Sequence, residues 1–280
     1  LQFMLRAARD EDRPYLMILD EMNLAHVERY FADVISGMES GEGCLPNLRK
    51  DEDGTWRKAR GEDEPEKIPF PDNLFIAGTV NVDETTYMFS PKVLDRANTL
   101  EFTVETEDLQ ADIRKPGDCE PGDPSLVRGF LEIASDENWH VVNPPAGRER
   151  FVGRLKDLHR ELDRGFSFGH RVLFEAIRYA ALHAEAGGDS MEEALDVQVL
   201  QKILPRIHGS RRRVEPVLRT VGKFCWDLQP ESQDDTGTGG FDPENPPSGD
   251  GGEPVLERSF DKVRRMTERL RANQFVSFTE

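Results

Sequence analysis

The spacing of apolar residues differs between the two halves of the chain. In the first half, short continuous apolar runs at 15–19 and 73–80 predict two buried β-strands. Helical spacing of apolar residues marks 24–38, a short helix is predicted at 91–97, and a third strand is predicted at 99–104. Buried strands that alternate with helices predict an α/β fold with a parallel sheet.

The second half follows helical spacing alone. Four periodic segments separated by Gly or Pro predict an all-helical domain. A stretch rich in Pro, Gly and acids precedes it, with one helix near 126–133, and a later stretch almost without large apolar side chains predicts disorder. The predicted regions are an α/β core at 1–105, an irregular connection at 106–147, a helical domain at 148–228, a disordered linker at 229–254 and an amphipathic helix at 255–280.

Composition narrows the classes of partner. The net charge of −18 means that any nucleic-acid contact must come from a local basic patch. No apolar run is long enough to span a bilayer and no secretory signal is found, which argues against a membrane partner. Cys44, Cys119 and Cys225 are far apart and favour reduced thiols in a cytoplasmic protein. Because the helical pattern is already under way at Leu1, we expect a portion of a longer protein.

The most informative polar residues follow the two predicted strands. Asp20 and Glu21 end the first strand, and Asn81 ends the second. Two buried carboxylates are costly unless a cation neutralises them, and Mg²⁺ that holds nucleotide phosphates does so. Since ligands of parallel sheets lie at the carboxyl ends of the strands, we expect the three side chains to converge there. Solvated acids at a strand end, and an ordinary turn asparagine, are the alternatives.

Between the strands, the insert at 41–72 predicts a hairpin that turns at Asp53-Gly54. It gathers cations around a tryptophan, a combination that suits phosphate contact and base stacking. A solvated hairpin whose own acids balance these cations is the alternative. The candidate nucleic-acid contacts are Arg49, Lys50, Trp56, Arg57, Lys58 and Arg60.

Four segments in order resemble motifs of one ATPase superfamily. Residues 16–25, which contain Asp20 and Glu21, resemble a Walker B strand, and Gly78-Thr-Val-Asn81 resembles a sensor 1 strand end. Residues 90–97 resemble an arginine-finger helix, and Phe168-Gly-His-Arg171 resembles the start of a sensor 2 helix. Together they are similar to AAA+ ATPases of the McrB-like group, the motor subunits of modification-dependent restriction systems. The fold implied is a partial AAA+ core followed by a helical lid.

The resemblance implies a role for each residue. Asp20 would hold Mg²⁺, and Glu21 would activate the attacking water. Asn81 would hydrogen-bond this water or the γ-phosphate. Arg96 would reach the nucleotide of an adjacent subunit, and Arg171 would contact the γ-phosphate from the lid.

Two of these residues, and Asn23 beside them, have alternative interpretations. Arg96 would otherwise form a salt bridge with Asp95 or Glu101. Arg171 would otherwise form an interdomain ion pair. Asn23, which follows the acid pair, would either position that pair or only cap the next helix.

The phosphate-binding loop of this family is missing from the sequence. No Gly-x-x-x-x-Gly-Lys-[Ser/Thr] occurs, so we expect that loop upstream of Leu1 and no hydrolysis by this chain alone. The family's GTP-using protein has Met-Asn-Thr-Ala-Asp at sensor 1. Here Asp83 comes one place early and Glu84 takes the matching position, which favours ATP, with GTP as the alternative.

The leading functional hypothesis is an AAA+ nucleoside-triphosphatase motor. The resemblance implies a ring of identical subunits, a hexamer, that works with a nuclease subunit on foreign DNA. A non-hydrolysing assembly scaffold is the second hypothesis. A protein-remodelling chaperone of the MoxR-like kind is the third.

Overall fold

The computed structural model of the protein divides the chain into two compact units. Unit 1 comprises Leu1–Val93 and Thr103–Glu137, and unit 2 comprises Leu94–Phe102 and Asn138–Glu280. The residues that the structure describes are 1–40, 43–44, 48–54, 56–58, 68–81, 87, 89–102, 120–136, 138–162, 165–188, 190–226, 241–246 and 253–278.

Unit 1 is built on a small parallel sheet. Its elements are α1 (Gln2–Ala7), β1 (Tyr15–Leu19), a 3₁₀ turn (Met22–Leu24), α2 (Val27–Tyr30), α3 (Ala32–Ser40), β2 (Leu48–Lys50), β3 (Trp56–Lys58) and β4 (Leu74–Gly78). The short helix α4 (Pro91–Leu94) follows at the boundary of the unit, and α5 (Ser125–Ser135) belongs to its second segment.

β1 and β4 pair in parallel, in a register that runs from Tyr15 opposite Leu74 to Leu19 opposite Gly78. The buried core of unit 1 in the described residues is a cluster of Met4, Ala7, Cys44, Ile68 and Leu74. Leu16 and Ile18 point to the other face, where they are 58% and 62% exposed. The expectation that 15–19 is a fully buried strand is therefore wrong in its burial, although the strand occupies these residues.

Two other elements of unit 1 differ from the sequence pattern. The helix predicted over 24–38 is divided at Phe31, between α2 and α3. The hairpin of β2 and β3 forms around Gly54, whose φ of 85° suits a residue without a side chain. The predicted helix near 126–133 is present as α5.

Unit 2 is helical. Its elements are α6 (Trp139–Val142), α7 (Arg148–Glu161), α8 (His170–Glu185), α9 (Met191–Gln198), a π-helix (Val199–Ile203), a 3₁₀ turn (Leu204–Arg206), β5 (Gly209–Ser210), α10 (Arg211–Cys225), α11 (Glu257–Asn273) and β6 (Phe275–Val276). One continuous hydrophobic core runs from Phe151 on α7 to Phe278 after β6. Helical spacing in the sequence predicts most of these helices because each buries one apolar stripe.

The segment 94–102 belongs to unit 2 and forms no strand in its described residues. Arg206 forms an ion pair with Asp95, and the Thr99 N–H donates to the Gln201 carbonyl at 3.2 Å. Lys262 Nζ donates to Glu101 Oε1 at 2.5 Å. The predicted strand at 99–104 is therefore wrong over 99–102, and the predicted core boundary at residue 105 does not match the units.

The C-terminal part also departs from the predicted linker. Residues 241–246 pack on α11: the Phe241 ring lies 6.3 Å from that of Phe260, and Arg271 pairs with Asp242 at 2.8 Å. A Cβ at Gly222 would come within 2.9 Å of the Phe241 ring, so glycine permits this contact. Disorder is therefore wrong for 241–246, and the rest of 229–252 lies outside the described residues.

Two further observations concern membrane-spanning helices and the cysteines. No helix in the part of the chain that the structure describes is long and apolar enough to cross a membrane. Cys44 and Cys225 are free and buried, and burial raises the pKa of both thiols. Cys119 lies outside the described residues.

Candidate functional site

The candidate site forms where β1 and β4 end side by side. Asp20 follows β1, and Thr79 follows β4. The Thr79 hydroxyl donates to Asp20 Oδ1 at 2.6 Å and accepts the Glu21 N–H at 2.8 Å. One threonine thus fixes the side chain of the first acid and the backbone of the second. Sequence reasoning assigned no role to Thr79, and only its place at the end of the second strand could have suggested one.

Asn81 reaches the acid pair from the neighbouring strand. Its Nδ2 donates to Glu21 Oε1 at 2.7 Å. Asp20, Glu21 and Asn81 are all exposed, so the expectation that two buried carboxylates need a cation to neutralise them is wrong in its premise of burial. The structure therefore brings the three sequence-predicted residues together at one edge of the sheet, as the parallel arrangement required.

Glu21 has an unusual backbone conformation. Its φ and ψ are 49° and 46°, the left-handed region. Among the described non-glycine residues only Glu21 and Gln274 have positive φ. Such a conformation costs on the order of 1–3 kcal/mol and persists where surrounding bonds hold it. Here the Thr79 hydroxyl and the Asn81 amide supply those bonds.

Asn23 forms a hydrogen bond that fixes the backbone of Asn81. It is 6% exposed, and its Nδ2 donates to the Asn81 carbonyl at 2.8 Å. It lies in the 3₁₀ turn, whereas the N-cap of α2 is His26, so the helix-cap alternative is wrong. Asn23 therefore positions Asn81. Its buried Oδ1 has no hydrogen-bond partner among the described residues.

Gly78 and Met22 close the end of the sheet. The Met22 N–H donates to the Thr79 carbonyl at 2.9 Å, which continues the strand pairing beyond β1. A Cβ at Gly78 would lie 1.8 Å from Met22 Sδ, so a side chain there would displace Met22. Glycine at residue 78 therefore leaves room for the Met22 side chain next to the turn that carries Glu21.

The fit of a magnesium ion can be judged from the oxygens that remain available. No group of three or more His, Cys, Asp or Glu residues suited to a metal occurs in the described part of the chain. Mg²⁺ in nucleotide sites typically takes one or two protein carboxylates and completes its shell with phosphate oxygens and water. Asp20 Oδ2 accepts no hydrogen bond from the described residues, so Asp20 fits that mode.

Arg96 and Arg171 are both in unit 2. Arg96 is half-buried after α4, and the two acids weighed as its partners are bound by other cations, Asp95 by Arg206 and Glu101 by Lys262. Arg171 is the second residue of α8 and is half-buried. Asp20, Glu21 and Asn81 thus belong to unit 1, whereas Arg96 and Arg171 belong to unit 2.

The hairpin places like charges opposite each other. Arg49 pairs across the strands with Arg57, an arrangement that destabilises a hairpin unless an anion lies near. Arg57 Nε donates to Asp51 Oδ1 at 2.5 Å, as the self-balanced alternative expects. The side chains of Trp56 and Lys58, and all of Arg60, lie outside the described residues.

Comparison with known families places the chain in one of them. Residues 129–275, more than half of the chain, match the family described as a domain of unknown function, DUF8727, and the chain belongs to this family. No curated protein and no solved structure matches the chain. The matched residues include Arg171, whereas Asp20, Glu21, Asn81 and Arg96 lie outside them.

Proposed function

We propose that the protein is a nucleoside-triphosphatase subunit of the AAA+ type, of the McrB-like kind, which hydrolyses ATP with magnesium. One observation carries the proposal: Asn81 Nδ2 donates to Glu21 Oε1 at 2.7 Å beside Asp20, where two parallel strands end. Parallel sheets bind nucleotides at this edge. The resemblance to Walker B and sensor 1 sequences supports the same function.

Each of these residues has one task in the proposed reaction. Magnesium, when bound, neutralises charge on the phosphates. Asp20 would hold the ion through its carboxylate, which the Thr79 hydroxyl orients by donating to Oδ1. Glu21 keeps one oxygen on the Asn81 amide and uses the other as the base that accepts a proton from water. Asn81 fixes the direction of that carboxylate, so the water is oriented before it attacks.

The proposal extends to unit 2 and to partners. Arg96 would act on the nucleotide of a neighbouring copy, so hydrolysis would require a ring, proposed as a hexamer. Arg171 would contact the γ-phosphate. A nuclease subunit, DNA and a cytoplasmic location follow from the same resemblance. ATP is the proposed nucleotide and GTP its alternative, and Asp83 and Glu84, which bear on that choice, lie outside the described residues.

The test is Glu21→Gln in the protein as its gene encodes it. The variant should still bind Mg-ATP, because Asp20 is intact, and should lose turnover, because an amide accepts no proton from water. Phosphate release and the binding of a fluorescent ATP analogue measure the two effects.

Glu11→Gln is the matched control. Glu11 is an exposed acid that precedes β1, at the opposite end of the strand from Glu21. Its substitution should leave turnover unchanged. Unchanged turnover in Glu21→Gln would remove Glu21 as the base.

A scaffold that does not hydrolyse nucleotide is the second candidate. The sequence favours it in one respect, because no Gly-x-x-x-x-Gly-Lys-[Ser/Thr] occurs among the 280 residues. Under this function the protein as encoded would assemble without binding Mg-ATP. Analytical ultracentrifugation with and without Mg-ATP separates the two candidates, since a motor ring is stabilised by nucleotide and a scaffold is not.

A further inference from the structure

Unit 2 contains a cavity of about 400 Å³ between the start of α7, the end of α8, the start of α9 and the residues just before α11. Small-molecule sites in proteins typically have volumes of about 300–1,000 Å³. The described residues that line the cavity lie between Ala146 and Leu256, within unit 2 and within the residues that match the DUF8727 family. The cavity therefore belongs to unit 2 alone and has a size suited to a small ligand.

This cavity is separate from the residue of unit 2 that the proposed function assigns to the nucleotide. Arg171 is the second residue of α8, whereas His183 lines the cavity near the other end of the same helix. An α-helix rises about 1.5 Å per residue, so the two residues are about 18 Å apart along its axis. A ligand group bound in the cavity is therefore not the phosphate that Arg171 is proposed to contact.

Apolar side chains form most of the wall of the cavity. Phe151, Leu195 and Leu256 are buried in the core of unit 2, and each also lines the cavity. Met191 and Val255 complete the apolar part of the wall. A wall of this kind binds the hydrocarbon part of a ligand, because contact with it removes apolar surface from water.

The charged groups of the wall are mainly cationic. Of the described residues that line the cavity, Arg150 and Arg154 are cations and Glu192 is an acid. Glu192 Oε1 lies 3.2 Å from Arg150 Nη2, and Arg154 Nη2 donates to the Phe224 carbonyl at 3.1 Å, which orients its guanidinium. In a chain with a net charge of −18, this cavity is a local exception that attracts an anion.

His183 adds a polar atom that the protein leaves unsatisfied. Its Nε2 is buried and forms no hydrogen bond with the described residues, although Glu193 Oε2 lies 3.3 Å away. A Cβ at Gly188 would lie 2.2 Å from this nitrogen, so glycine leaves room for the imidazole edge. Buried polar atoms are normally hydrogen-bonded, and an exception is often satisfied by a water or a ligand.

We propose that this cavity binds a small amphiphilic carboxylate, a molecule with one carboxylate and an apolar body. An arginine fork matches a carboxylate with two parallel hydrogen bonds, and two arginines against one glutamate leave one positive charge for one negative charge. The side chain of Arg150 is 68% exposed, whereas Leu195 and Leu256 are buried. The carboxylate therefore lies at the mouth of the cavity and the hydrocarbon part lies inside it.

The test uses octanoate as the probe, and acetate and 1-octanol as molecules that each lack one of its two parts. Isothermal titration calorimetry on the full chain should detect octanoate binding at millimolar concentration. Acetate and 1-octanol should each bind at least about tenfold more weakly, because each loses one kind of contact.

Three results with these probes would overturn the inference. Absence of octanoate binding would remove the site. Equal affinity for 1-octanol would remove the recognition of an anion. Tighter binding of octyl phosphate than of octanoate would replace the carboxylate with a phosphate.

Arg150→Met tests the guanidinium at the mouth. Because this side chain is exposed, the fold should be retained, and the affinity for octanoate should fall at least about tenfold. Arg160→Met is the matched control, since Arg160 is on the same helix, is 71% exposed, pairs with Asp157 and does not line the cavity. Its affinity should be unchanged. An equal loss in both variants would mean that overall charge attracts octanoate, which overturns the inference.

Ala184→Trp tests the location. Ala184 is exposed and lines the cavity, so an indole there should occupy part of the space without disturbing the core, and the affinity for octanoate should fall at least about tenfold. Ala186→Trp is the matched control, because Ala186 is exposed and does not line the cavity. Without octanoate, both variants should keep the Tm of the unsubstituted chain. Full affinity in Ala184→Trp would place octanoate elsewhere and overturn the inference.

Discussion

Unit 1 and unit 2 hold their charged residues in opposite ways. In unit 1, Asp20, Glu21 and Asn81 are exposed and are fixed by short hydrogen bonds at the end of a small sheet. In unit 2, Lys202 and Lys262 lie within a large helical core. A charge in water is stable without help, whereas a buried charge needs a partner from the protein or from a ligand.

Because of this difference, substitutions in unit 1 and in unit 2 should affect different properties of the protein. Replacing an exposed acid of unit 1 removes little packing, so its effect should fall on ligand binding and turnover. Replacing a core residue of unit 2 removes many contacts, so its effect should fall on stability.

The largest expected effect concerns Arg96, the residue of unit 2 that the proposal pairs with the acids of a neighbouring copy. Arg96→Ala should lower turnover by about 10³-fold, as loss of an arginine finger does. Mixing it with Glu21→Gln subunits should partly restore turnover, because some neighbouring pairs then have both residues. Steady-state phosphate release across mixing ratios measures this, and no recovery at any ratio would exclude Arg96 from the subunit interface.

The next effect compares one leucine from each unit. Leu218 on α10 is fully buried, and Leu218→Ala should lower the free energy of unfolding by about 2–5 kcal/mol. Leu16 on β1 is 58% exposed, and Leu16→Ala should cost less than about 1 kcal/mol. Urea unfolding followed by circular dichroism measures both. Equal losses would mean that the exposed face of the sheet is covered in solution.

The smallest expected effect is on the pH dependence of folding stability, to which one glutamate in each unit contributes. Arg211 and Arg219 lower the pKa of Glu215, and hydrogen bonding from Ser90 lowers that of Glu28. Because each folded-state pKa lies below the ordinary value, this stability is present above about pH 4.5 and is lost as the pH falls through the folded pKa.

Glu215→Gln and Glu28→Gln should each reduce stability by about 1 kcal/mol or less at pH 7. Neither should change stability at pH 2, where the unsubstituted side chains are protonated. Thermal unfolding at the two pH values checks this, and an equal loss at both would contradict the electrostatic cause. If the two units unfold in separate transitions, each substitution should move only the transition of its own unit.

The spacing and polarity of residues along the sequence predicted the strands and helices better than they predicted which residues pack against them. The strand at 15–19 was found because a continuous apolar run between polar breaks has few alternatives. The same run says nothing of what covers each face, so the exposure of Leu16 and Ile18 was missed. The strand predicted at 99–104 failed over 99–102 because contacts with Gln201 and Lys262 determine that segment.

The candidate site was predictable in outline. Parallel strands bring their ends together, so the meeting of Asn81 with Glu21 could be inferred from two runs and the residues after them. The contacts of Thr79 and the burial of Lys202 were not predictable from the pattern. A threonine after a strand has many ordinary uses, and a lysine in a helical stretch is normally solvated.

The anchoring of residues 94–102 has a mechanical consequence. Asp95 and Glu101 tether both ends of this segment to the helical body through Arg206 and Lys262. Arg96 lies between these two ion pairs, so its backbone is held to the helices of unit 2 on both sides. Under the proposed function, the contact of Arg96 with a neighbouring copy would therefore depend on these two ion pairs.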